Sequence, residues 1–154
     1  MGAGPEVKSS RPTAETFSRD ELRKYLERNA ARLRAASVKL REPTGKVDDK
    51  LPTRLEDTAK RLEEVLPLLD SPGALDLEDL ERRLSVLEEK LSAALSADAD
   101  EEALLSVRRE MDRSLAPYRR KMSAAQLAQL ERQYTQKRLF EHFNVPRLSL
   151  FYLT

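Results

Sequence analysis

The stretch from Leu51 to Ala97 most constrains the fold, because its apolar residues recur at helical spacing on both sides of a turn. In its second half the apolar positions follow at intervals of 3, 4, 3, 4 and 3: Leu77, Leu80, Leu84, Leu87, Leu91 and Ala94. The first half repeats the pattern at Leu55, Thr58, Leu62, Val65 and Leu69. Such intervals keep the side chains along one side of a helix. With the turn at residues 70–73, the pattern predicts an antiparallel pair of helices.

Three pairs of residues predict helix starts, because each has Ser or Thr followed three positions later by Glu or Gln, the signature of a capping box. These pairs are Ser18–Glu21, Thr53–Glu56 and Ser123–Gln126. Aspartate also caps helices, and it predicts further starts at Asp76 and at either Asp98 or Asp100. The chain is therefore expected to contain about five helices.

Prolines predict where helices end, because the proline ring blocks an interior hydrogen bond. Pro67, Pro117 and Pro146 each follow a helical pattern, and residues 42–52 predict a loop. The first helix has its own apolar seam, on which Asn29 is a polar exception. A polar group there either is buried and fixes the register of packing or lies at the edge of the seam in water.

Composition favours an all-α protein, because the 154 residues include 26 Leu but only 7 Val and no Ile or Trp. Strands are richer in β-branched and aromatic residues. The absence of cysteine excludes a disulfide scaffold and thiolate metal sites. No apolar run approaches the ~18 residues of a membrane-spanning helix, and the N-terminus has no signal-peptide pattern. A cytoplasmic protein without membrane contact is expected.

Three parts of the chain are predicted. Residues 1–17 are rich in Gly, Pro, Ser and Thr and are expected to form a disordered arm. Residues 18–146 are expected to form an antiparallel helical bundle with coiled-coil-like heptad seams, which suggest a homodimer. Residues 147–154 are expected to form an extended apolar tail.

This tail is the least ordinary part of the sequence, since no residue after Arg147 is charged. An uncovered apolar strand invites aggregation, so we expect the tail to be buried. Coverage by another polypeptide, a second copy or a different protein, is favoured over a groove on the same chain, and deleting residues 148–154 would then leave the bundle folded. The predicted partner-binding residues are Leu148, Leu150, Phe151, Tyr152 and Leu153.

Charge is segregated along the chain, with a balance of +4 over residues 1–50, −9 over 51–106 and +6 over 107–154. Cations spaced four apart on a helix repel each other, so the stripe of Lys24, Arg28 and Arg32 predicts an acidic neighbour. That neighbour is either the central hairpin or an external polyanion. Candidate polyanion contacts are Lys24, Arg28, Arg32, Arg109, Arg113, Arg120, Lys137 and Arg138.

We find no pattern of catalytic or cofactor-binding residues. The single histidine, His142, has no second histidine or Glu-x-x-His partner, and no glycine-rich phosphate loop is present. The sequence therefore predicts a non-enzymatic interaction or scaffold protein without a cofactor, metal or small-molecule substrate. We expect it to be a subunit of a larger assembly that docks through its tail. The alternative is a nucleic-acid-associated protein that uses its arginine-rich helices.

Overall fold

The computed structural model describes residues 17–42 and 49–153. Over these ranges it has five α-helices and three short 3₁₀ turns, at Leu66–Asp70, Ala116–Lys121 and Leu150–Tyr152. The predicted all-α bundle of about five helices is confirmed. The helices are α1 (Arg19–Arg41), α2 (Lys50–Val65), α3 (Leu77–Asp98), α4 (Glu101–Leu115) and α5 (Ala124–His142). The predicted disordered arm lies outside the described residues, except for Phe17, which packs against the core.

Four of the predicted helix starts are confirmed by their capping hydrogen bonds. Ser18 and Ser123 both form complete capping boxes, with Glu21 and Gln126 respectively. Asp76 and Asp100 accept a hydrogen bond from the backbone amide three residues ahead. These side chains satisfy amide groups that the first turn of a helix leaves unpaired.

The predicted capping box at Thr53 is wrong, and so is the end of the predicted loop at residue 52. Helix α2 begins at Lys50 and takes Pro52 into its first turn, with Asp49 at the N-cap position. Proline is tolerated there because the amide hydrogen that it lacks would have no partner in the helix. Glu56 instead accepts hydrogen bonds from Ser37 and Arg41 of α1.

The prolines end helices as predicted. Helix α2 stops at Val65 and α4 at Leu115, and each continues into a 3₁₀ turn that contains Pro67 or Pro117. Helix α5 ends at His142, and Asn144 follows with φ of 56°. Asparagine is one of the few residues that adopt this left-handed conformation at the end of a helix.

The core forms where α1 packs along α2, which is the most extensive helix–helix contact of the described chain. Helix α3 packs against α2 and α5, and α4 packs against α5. Leucines dominate the core, including Leu22 and Leu33 of α1, Leu55 of α2 and Leu84 of α3. The end of α5 and the residues after it complete this core, whereas the apolar face of α4 is buried outside it.

The buried stripe of α3 differs from the predicted heptad seam in its second half. The buried positions there are Glu88, Leu91 and Leu95, whereas the predicted Leu87 and Ala94 are only partly buried. An α-helix has 3.6 residues per turn, so a strict seven-residue repeat drifts by ~20° per heptad. The shift brings one carboxylate, Glu88, onto the buried face.

Basic α1 and the acidic hairpin meet through ion pairs. Arg23 pairs with Asp70, Arg34 with Glu63 and Arg41 with Glu56. Because these side chains remain partly exposed to water, each pair contributes about 0–1 kcal/mol. They orient the hairpin on α1 more than they stabilise it. Across residues 17–42 and 49–153, none of the helices is long and apolar enough to cross a membrane.

Candidate functional site

The C-terminal segment, residues 147–153, docks on the bundle of its own chain. Leu148 and Leu150 are fully buried in the core together with Val145, and Leu153 is partly buried against it. The expectation that another polypeptide covers these leucines is therefore wrong, because a groove between α1 and α3 already does so. The segment is also not extended throughout, since Leu150–Tyr152 form a 3₁₀ turn that rotates Tyr152 out of the buried face.

Glu88 of α3 holds the start of this segment. One carboxylate oxygen accepts the backbone amides of Leu148 and Ser149, at 2.7 and 3.0 Å. The other oxygen accepts hydrogen bonds from Nε and Nη2 of Arg147, at 3.1 and 2.9 Å. Glu88 is only 7% exposed, and a buried carboxylate is tolerated when it is both paired and hydrogen-bonded. The four contacts fix the segment to α3.

Glu81 holds the next part of the segment, two turns earlier on α3. It accepts the backbone amide of Leu150 at 2.7 Å and the hydroxyl of Ser149 at 2.6 Å. The same Ser149 oxygen accepts the amide of Phe151 and caps the 3₁₀ turn. Two carboxylates on one helix thus satisfy three successive backbone amides that no regular secondary structure would satisfy.

Helix α1 contacts the opposite edge of the segment. The Tyr25 hydroxyl lies 2.7 Å from the carbonyl oxygen of Ser149 and donates to it, and Asn29 Nδ2 donates to Arg147 at 3.4 Å. Burial, assisted by the charges of Glu88 and Glu81, raises the pKa of Tyr25 to about 12 and outweighs the lowering effect of its hydrogen bond with Asn29. Asn29 is buried, which confirms the first of its two interpretations, and its side chain contacts this segment.

The outer face of the segment is aromatic. The guanidinium carbon of Arg147 lies 4.9 Å from the ring centre of Phe140 and 4.7 Å from that of Tyr152. Phe151 stands edge-on to Tyr152, with 5.1 Å between the ring centres. Phe151 is 79% exposed and Tyr152 is 41% exposed. Two aromatic rings are thus presented to solvent on a rigidly held backbone.

A cleft of about 830 Å³ opens beside this aromatic pair, between α1 and α5. Its walls carry Arg28 and Arg32 from α1 and Lys137 from α5, and Phe151 and Tyr152 also line it. Among the residues that the structure describes, these three cations form no ion pair. Arg28 instead lies over the ring of Tyr25, 5.9 Å from its centre. We call this the basic cleft.

The other predicted polyanion contacts lie elsewhere. Lys24 pairs with Asp20 at 3.2 Å, and Arg138 pairs with Glu110 and Glu141 at 2.7 and 2.8 Å. The other three, Arg109, Arg113 and Arg120, are exposed on α4 and in the turn after it. The basic cleft therefore unites three of the eight predicted cations with two of the five predicted partner-binding residues.

Four residues that position the site were missed from the sequence. None of Tyr25, Phe140, Glu81 and Glu88 was singled out from the sequence. Glu88 carried a detectable signal, since it follows Leu84 by four positions and precedes Leu91 by three, which places it on the apolar side of a straight helix. No local signal identifies the C-terminal backbone as its partner.

The described residues include no cluster of three or more His, Asp or Glu side chains arranged to hold a metal ion. His142 is exposed at the end of α5, edge-on to Phe143. Fold and site together define an all-α protein with a basic, aromatic-edged cleft. No family model, curated protein or solved structure matches the chain.

Proposed function

We propose that this protein is a non-enzymatic interaction protein, a subunit of a larger assembly, that docks on a partner protein through the outer face of its C-terminal segment. The observation that carries the proposal is the exposure of Phe151 beside Tyr152 on a backbone held by Glu81 and Glu88. Exposed aromatic side chains are enriched where proteins bind each other.

Rigid support strengthens the proposal. An interaction surface loses less conformational entropy on binding when its backbone is already ordered. Here side chains of α1 and α3 satisfy the amide groups of residues 148–150 and the carbonyl groups of Arg147 and Ser149. The aromatic pair is therefore presented in one orientation before a partner arrives.

Site-specific photo-crosslinking in cells tests the proposal. Phe151 is replaced by a photoreactive phenylalanine analogue, and adducts are identified by mass spectrometry and then checked with the purified partner. Tyr118 is the matched control, since it is an exposed aromatic residue on the turn after α4. We expect a discrete adduct from position 151 alone. Diffuse labelling, or the same adducts from both positions, would remove the proposal.

Single-stranded nucleic acid is a second candidate ligand, and one observation favours it. Exposed aromatic rings adjoin unpaired cations in the basic cleft, and proteins that bind single strands combine base stacking with phosphate contacts. The measurement is binding of a labelled oligonucleotide across a salt series, where a steep loss of affinity with salt is expected. Absence of binding at low salt would eliminate this candidate.

A further inference from the structure

We infer that the basic cleft is a binding site for an extended acidic segment of the partner protein, with carboxylates at alternate positions. This inference rests on the proposed function and specifies the chemistry of the partner. It adds a charged site beside the aromatic surface, and the two can be tested separately because the charge variants leave Phe151 and Tyr152 unchanged.

The cleft holds cations that have no acidic partner among the described residues. Arg28 and Arg32 lie four residues apart on α1, and like charges at this spacing destabilise a helix. Other arginines of α1 have acidic partners on the hairpin, as Arg23 and Arg34 do. Within the described ranges, Arg28, Arg32 and Lys137 have none. An anion in the cleft would relieve the repulsion between Arg28 and Arg32 and pair with Lys137 on the opposite wall.

The spacing of the two arginines favours an extended occupant. Four residues along a helix rise by about 6 Å, which sets the spacing between Arg28 and Arg32 along α1. Side chains at alternate positions of an extended chain lie on the same side, about 6.6–6.8 Å apart. Carboxylates on every second residue therefore match the two arginines. A helix with its side chains is about 10–12 Å across, so an extended segment is the smaller occupant.

The cleft also offers such a segment hydrogen-bonding and apolar groups. Gln133 and Gln136 of α5 line the same wall as Lys137. Their amide groups can donate hydrogen bonds to carboxylates and can also bond the backbone of an extended chain. Phe151 and Tyr152, which also line the cleft, provide an apolar surface. An acidic segment with apolar residues between its carboxylates would use both features.

The surroundings of the cleft favour an acidic peptide over nucleic acid. A nucleic-acid backbone needs a continued row of phosphate contacts, and each one contributes to the salt dependence of binding. Next to Lys137, however, Arg138 is occupied by Glu110 and Glu141, and Glu141 itself lines the cleft. The basic surface is therefore local, with room for a few carboxylates rather than a path for a strand.

The test measures binding of two labelled peptides to the full chain by fluorescence anisotropy. In one peptide glutamate alternates with leucine, and in the other each glutamate is replaced by glutamine. We expect the glutamate peptide to bind about tenfold more tightly, because two or three charge pairs act together. Equal affinity for the two peptides would overturn the inference.

Matched variants locate the binding site. The double variant Arg28→Glu, Arg32→Glu should weaken binding of the glutamate peptide by about tenfold or more. The control double variant, Arg109→Glu with Arg113→Glu, makes the same charge change at the same spacing on α4 and should alter affinity by less than about twofold. Equal losses in the two double variants would show non-specific attraction and would refute the site.

Two further measurements separate the alternatives. Lys137→Glu, on the opposite wall, should also weaken peptide binding, so the site is tested even if the α1 double variant fails to fold. The cleft would be assigned to nucleic acid instead if a single-stranded oligothymidylate binds more tightly than the glutamate peptide and this binding is lost in the Arg28→Glu, Arg32→Glu variant. If position 151 crosslinks to a discrete partner, and substitution of Arg28, Arg32 and Lys137 does not change the affinity for that partner, the proposed function stands and this inference fails.

Discussion

Glu88 should be among the most costly carboxylates to remove, and its replacement by alanine tests how the C-terminal segment is held. The side chain accepts four hydrogen bonds, two from Arg147 and one each from the amides of Leu148 and Ser149. Removing it leaves a largely buried guanidinium and a buried amide without partners. The groove would then have to open to water or keep these groups unsatisfied.

The expected magnitude follows from this burial. The side chains of Glu88 and Arg147 are only 10% and 19% exposed, and truncating one partner of a buried ion pair costs about 3–5 kcal/mol. Whole domains are stable by only about 5–15 kcal/mol. For a chain of this size each kcal/mol lowers Tm by about 2–4 °C, so Glu88→Ala should lower Tm by about 6–20 °C. Glu88→Gln keeps an acceptor for the amides and should cost less, about 1.5–3 kcal/mol.

The assay is urea unfolding followed by circular dichroism, with thermal melts as a second measurement. Glu89→Ala is the matched control, because it removes the same charge from the next residue, which is exposed. Surface substitutions of this kind usually change the free energy of unfolding by less than about 0.5 kcal/mol. If Glu88→Ala and Glu89→Ala agree within about 1 kcal/mol, the clamp contributes little and our account of the segment is wrong.

Three other predictions concern pH, surface charge and assembly. The folded-state pKa of Tyr25 is raised from 10.0 to about 12, so the stability that Tyr25 contributes should be complete below pH 10 and lost as pH rises towards 12. In alkaline unfolding curves, Tyr25→Phe should remove this loss. Arg28→Glu should leave the free energy of unfolding within about 0.5 kcal/mol of wild type. Arg34→Glu breaks the pair with Glu63 and should cost about 0.2–1 kcal/mol. A larger loss from Arg28→Glu than from Arg34→Glu in thermal melts would contradict the assigned pairs. The predicted homodimer should have twice the monomer mass of 17.6 kDa in light scattering, and a monomer at high concentration would count against it.

Deleting residues 148–154 now carries a different expectation from the one that the sequence favoured. Leu148 and Leu150 belong to the core, and burying a leucine contributes about 1.5–3 kcal/mol. Their loss, together with the two amide hydrogen bonds that Glu88 would lose, should destabilise the bundle rather than leave it unaffected. A truncated chain with an unchanged cooperative melt would show that the segment is not part of the core.

Local features were predictable because their causes are local. Ser18, Asp76 and Ser123 cap helices through hydrogen bonds that span three residues, and Pro67 and Pro117 end helices through the geometry of a single ring. Leucine spacing then implies that the helices bury one face each. Even the error at Pro52 was local, since proline is compatible with both the residue before a helix and its first turn.

The site depended on contacts between residues far apart in the chain. The sequence identified Arg28, Lys137 and Phe151 as unusual, but it could not show that α1 and α5 bring them to one cleft. The heptad pattern also placed Leu87 rather than Glu88 on the buried seam, because a heptad template and a straight helix diverge by the fourth turn.

By itself, the sequence determined the five helices, most of their ends and the apolar character of the C-terminus, because capping, proline geometry and hydrophobic spacing act over a few residues. Only the tertiary structure decided what covers that C-terminus and which cations remain unpaired. Leu148 is buried because α1 and α3 leave a groove of matching polarity, with Glu88 sixty residues away supplying the acceptor for its amide. Such a match depends on how separate helices pack, and no local pattern contains it.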